Sequence, residues 1–112
     1  MNDSILISIK KLLGLGEDYA EFDQDIIMHI NAIISNLVQM GVCPEKGFIV
    51  TDEKATWKDL MGSTKKLEQI KSYIYLKVKL LFDPPTNSAA IESMNKIASE
   101  FEWRMYIEKG GY

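Results

Sequence analysis

The sequence predicts an all-α fold, a small bundle of about four main helices plus one short helix, with an irregular loop between the second helix and the short one. Three observations predict it. Apolar residues recur at helical spacing in the long stretches, glycine or proline stops follow most of them, and the one strand-like run, Phe48-Ile49-Val50-Thr51, has no second run to pair with.

The first helix is expected from about Ser4 to Leu13, with Asn2 or Asp3 as cap and Gly14 and Gly16 ending it. Ile5, Ile9, Leu12 and Leu13 share a face and make it an amphipathic docking helix. The link EDYAEFDQD that follows carries five carboxylates in nine residues. Asp23 and Asp25 stand where a helix N-terminus favours negative charge, so the cluster is read as helix chemistry rather than as a site.

The second helix is expected from about Gln24 to Met40, with Asp23 as N-cap, a Phe22 to Ile27 hydrophobic staple, and Gly41 as the left-handed stop. Ile26, Ile27, Ile30, Ile33, Ile34 and Leu37 fall in one arc of about 120° and form its core face. Its other side is Met28, Ala32, Ser35 and Gln39, and no Asp, Glu, Lys or Arg occurs from Ile26 through Pro44. A helix uncharged on both sides is expected to be central, with something packed against each. Pro44 to Gly47 is turn chemistry, and Val42 to Lys54 reads as a loop.

A short helix is expected from about Ala55 to Met61, stopped by Gly62. The next starts near Ser63 or Thr64 and ends at Phe82, because Asp83-Pro84-Pro85 cannot continue it. Leu67, Ile70, Ile74, Val78 and Leu81 form its core stripe, yet Tyr73, Leu76 and Leu80 lie on the flank or far side, leaving Glu68, Ser72 and Lys79 as a narrow wet strip. A helix apolar all round lies either in the middle of the bundle or at a subunit interface, and the residues alone leave both open. The last helix is capped by Asn87 or Ser88 and runs to about Ile107. Its stripe is Ala90, Ile91, Met94, Ile97, Ala98, Phe101 and Met105, and Trp103 projects roughly 180° away, where a monomer would expose it. Large aromatics at such positions are enriched at protein contacts.

At 112 residues the chain is read as one domain, residues 1–112. Its net charge of −3, with Arg104 the only arginine, gives no global attraction to a phosphate backbone. Cys43 is alone, which fits a reducing compartment, and the N-terminus has neither the charge order nor the cleavage site of an export signal. No apolar run approaches the roughly 18 residues that span a bilayer, so no membrane is expected.

Catalytic chemistry finds little support. His29, the only histidine, has no cysteine or carboxylate four residues away. Gly14-Leu15-Gly16 and Gly62-Ser63-Thr64-Lys65-Lys66 lack the remaining glycines, the preceding strands and the residue order of nucleotide loops. Glu100 and Glu102 point to different helix faces. The expectation is no enzyme, no metal and no cofactor. Lys65, Lys66, Lys71, Lys77 and Lys79 scatter around more than half the helix and make no stripe to follow a DNA groove.

The run TWKDLMG (Thr56 to Gly62), then YIYLKVKLLFDPP (Tyr73 to Pro85) leading into Ser88, then EFEWRM (Glu100 to Met105), resembles the head-tail connector family of long-tailed bacteriophages and prophages, also called head completion or adaptor proteins. FDQDIIMHINAIISNLVQMGV (Phe22 to Val42) is similar to the family's preceding helix, and the resemblance covers roughly residues 20 to 106. It implies an all-α subunit that forms a homo-oligomeric ring, twelvefold in the virion, beneath the portal protein after DNA packaging. It further implies retention of the packaged DNA, a platform for the stopper or tail completion protein, and a place at the head-tail interface, reached from the bacterial host cytoplasm. Trp57, Tyr75, Leu76, Leu80 and Trp103 are the candidates for packing between subunits, and Lys65, Lys66 and Lys79 for nonspecific contact with DNA in the channel. Cys43 departs from the family pattern, standing in a loop position where glycine is frequent, and so does the short stretch after the Glu-Trp-Arg motif, Lys109 to Tyr112. The alternative is a small all-α DNA-binding or other protein-interaction module.

Overall fold

A computed structural model describes residues 4–42, 48–61 and 67–108. It contains α1 (Ile5–Leu12), α2 (Asp23–Gln39), α3 (Trp57–Met61), α4 (Leu67–Phe82) and α5 (Ser88–Glu108), with no strand among the described residues. The all-α expectation holds. Among the described residues there is one isolated bridge, between Ser4 and Thr56, where the Ile5 N–H donates to the Ala55 carbonyl at 3.0 Å.

The helix ends follow local chemistry. Ser4, rather than Asn2 or Asp3, caps α1, its hydroxyl accepting from the Ile7 N–H at 3.2 Å; the latter two lie outside the described residues. Gly14 and Gly41 have φ of 86° and 80°, the left-handed turn that glycine adopts without a Cβ penalty. After α2, Gly41 and Val42 return their N–H groups to the Val38 and Leu37 carbonyls at 3.0 and 2.9 Å, so the last turn is closed. Thr56 and Asp59 cap α3 reciprocally, each side chain accepting from the other's backbone N–H at 3.1 and 3.0 Å. Asn87 caps α5 through Oδ1, which accepts from Ala89 and Ala90. Gly62, the expected start of the fourth helix at Ser63 or Thr64, and the turn Cys43 to Gly47 lie outside the described residues.

The α2 N-terminus differs from expectation. Asp23 is the first helical residue rather than the cap, and Phe22 in the cap position makes no side-chain cap bond. The carboxylate of Asp23 is instead 2.9 Å from Nζ of Lys10, an ion pair rather than an aligned hydrogen bond, while Lys10 donates to the Glu17 carbonyl at 3.1 Å. The acidic link thus folds back over α1 and supplies a counterion to a lysine buried on its core side. Leu12, expected on the docking face, is exposed. Phe22 packs edge-on to Phe82, with centroids 5.4 Å apart, joining the start of α2 to the end of α4.

The main packings are α1 on α2, α2 on α4 and α4 on α5. All six residues of the expected α2 core face are buried, each contributing on the order of 2 kcal/mol by removing its side chain from water. Helix α4 lies between α2 and α5, and this accounts for its apolar girth. Ile70, Ile74 and Val78 are buried as expected, and Tyr73 and Leu76 are buried as well. Leu81, expected in the stripe, is 55% exposed, while its neighbour Phe82 packs against the core. On α5, Ala98 and Met105 are buried and Phe101 is half-buried, whereas Ile97 is exposed.

Candidate assembly surface

Among the described residues, two groups of exposed apolar side chains stand out, one on α2 and one on α5. The first lies behind α2. Met28, 60% exposed, Ala32 and Ser35 face outward, and the extended segment at Phe48 and Ile49 runs alongside to form an open groove of about 510 Å³. Asn31 fixes this segment. Its amide donates to the Val50 carbonyl at 2.9 Å and accepts from the Val50 N–H at 2.8 Å, as a neighbouring strand would, and the Val50 side chain is fully buried. No ionisable side chain lines the groove. The uncharged back of this helix was visible in the sequence, but the expected covering on both sides is not supplied by the described residues. The role of Asn31 and the exposure of Ile49 were not visible, because both depend on a contact nineteen residues away.

The second patch is the outer face of α5. Trp103 is 62% exposed, opposite the buried Ala98 and Met105, and stacks on Tyr106 with centroids 6.1 Å apart and planes 26° apart. Ile107 extends the patch. Trp103 is therefore where its helical position predicts. Tyr106, three residues on, lies beside it on the same face.

The other candidates distribute differently. Trp57 is 2% exposed, its indole Nε1–H donating to Oγ of Ser8 at 3.1 Å and its ring lying 5.6 Å beneath the Lys71 ammonium. Leu76 is also buried within the chain. Both belong to the core, which removes them from any surface offered to a neighbour. Tyr75 and Leu80 are half-buried. Lys79 is held by Asp83 at 3.0 Å, one helical turn on, while Lys65 and Lys66 lie outside the described residues.

A polar seam joins α4 to α5. The Tyr73 hydroxyl donates to Oε2 of Glu102 at 2.6 Å, and the Lys77 ammonium is 3.9 Å from the same oxygen. Burial, reinforced by the hydrogen bond and negative charge of Glu102, holds the Tyr73 phenol above its ordinary titration range. No group of three or more potential metal ligands occurs among the described residues, and no described helix is long and apolar enough to cross a membrane.

The surface therefore offers apolar contact on two sides and no assembled catalytic constellation among the described residues. A family model described as Phage connector protein matches residues 5–111. The chain belongs to the phage connector protein family. No curated relative and no solved structure matches it. The connector family is one of structural proteins, so this chain has a structural role in a phage particle, where it interacts with other head and tail proteins.

Proposed function

We propose that this connector completes the phage head by assembling as a closed ring of identical copies beneath the portal protein, twelvefold in the virion. The ring helps to retain packaged DNA and presents a platform to the stopper or tail completion protein. Its place is the head-tail interface, reached after synthesis in the host cytoplasm. The observation that carries this reading is the Trp103–Tyr106 stack: a rigid aromatic pair with 62% of the tryptophan in water serves no purpose in the chain's own core. Tyr75 and Leu80, half-buried, join it as rim candidates for subunit contact.

DNA enters this account only as a passive, sequence-independent neighbour. The chain carries a net charge of −3, and the lysines of α4 are already engaged, Lys79 with Asp83 and Lys71 over Trp57. The reading assigns the protein no catalysis and no cofactor.

The test is co-sedimentation of the purified protein with portal rings of the same phage. Capture at a fixed ratio of copies to portal subunits supports the placement; no capture at any concentration contradicts it.

A further inference from the structure

The two patches differ in shape: one is a groove behind α2, the other an exposed, stacked aromatic pair on α5. We infer that they are two halves of one contact: the α2 groove is the socket that receives Trp103 and Tyr106 of the next copy. This rests on the ring reading and names the surfaces that would close it.

Four observations support the pairing. The groove, about 510 Å³ and lined by Met28, Ala32, Ser35, Phe48 and Ile49 among others, is open enough to take a large aromatic side chain and charges nothing against its burial. The stacked pair is pre-arranged, so little side-chain freedom is lost when it docks. Among the described residues neither the Trp103 indole N–H nor the Ser35 hydroxyl has a hydrogen-bond partner within the chain, so a donor on one patch faces an acceptor on the other. Finally, a two-fold contact that pairs either patch with its own copy would leave the other patch of both molecules in water, and a reciprocal two-fold contact between groove and aromatics would stop a disulfide-trapped ladder at the dimer. A groove-to-aromatic contact uses both patches of every copy, and repeated head-to-tail it generates a ring.

The size of the contact sets how it behaves. Two aromatic side chains and their surround bury roughly 150–250 Å² each, well short of the roughly 800 Å² per partner of a stable pair. An isolated pair is weak, and assembly rises with protein concentration.

Disulfide trapping tests this. Ser35→Cys and Tyr106→Cys are placed singly and together in a Cys43→Ser background, and each protein is mildly oxidised at high concentration. Both positions are solvent-exposed, so the substitutions leave the core intact. The double variant is expected to give a ladder extending beyond the dimer, a mixture of the two single variants only a dimer, and each single variant alone no product. Adding Trp103→Ala to the double variant should remove the ladder. A dimer from either single variant alone overturns the inference in favour of a two-fold contact. No ladder from a double variant whose light-scattering mass is that of a ring overturns the pairing while leaving the ring intact. No ladder and no assembly at any concentration overturns both.

Discussion

Asn31 carries no charge and stands on a helix, yet its amide closes both hydrogen bonds of the Val50 backbone at 2.9 and 2.8 Å. Asn31→Ala leaves a buried N–H and a buried carbonyl without partners and should lower unfolding free energy by about 2 kcal/mol. Asn31→Asp should not rescue it, because a carboxylate has no hydrogen to give the carbonyl. Urea midpoints measure both; a loss under roughly 0.5 kcal/mol for Asn31→Ala would contradict the role. Tyr73 makes a second prediction. Its phenol is held neutral by burial and by Glu102, so its folded pKa lies above the unfolded value of about 10. The resulting stability is fully present below about pH 10 and is lost as pH rises through the folded pKa. Tyr73→Phe should cost about 1 kcal/mol at pH 8 and flatten the decline in stability above about pH 10. An unchanged alkaline slope would show that other groups cause it.

Among the elements, the two tryptophans invite direct comparison, since both stand in motifs that suggested assembly. Trp57 is 2% exposed and bonded to Ser8, whereas Trp103 is 62% exposed. Trp57→Ala should cost about 3–5 kcal/mol of stability. Trp103→Ala should stay within about 0.5 kcal/mol of the parent while reducing the assembled mass. Thermal melts and light scattering on the same samples separate the effects, and a Trp103→Ala variant that unfolds would place that residue in the core. The contrast also shows what was legible. Helical spacing gives a side chain's angle about its own axis, which sufficed for the whole α2 core face and for Trp103. It does not say which neighbour arrives or where the core ends. Hence Leu76, on the far side of α4, is covered by packing within the chain, and Leu81 and Leu12, on expected core faces, stand exposed. Lys10 was hidden for a related reason: its counterion, Asp23, comes from a link that only the fold brings back to α1.

For the molecule as a whole, family membership and the placement of the bare patches are complementary. Membership over residues 5–111 assigns a structural place in the particle, and the patches supply a physical means of occupying it. An uncharged groove on α2 and a stacked aromatic pair on α5 are the kind of exposed apolar surface that marks protein contacts. Because each contact is small, assembly should be graded by concentration rather than permanent. The most direct measurement is particle mass by light scattering after size exclusion, over a wide range of protein concentration. The account predicts monomer at low concentration giving way to one ring-sized species as concentration rises. A monomer at every concentration would contradict it, because the two patches would then have no attraction for each other.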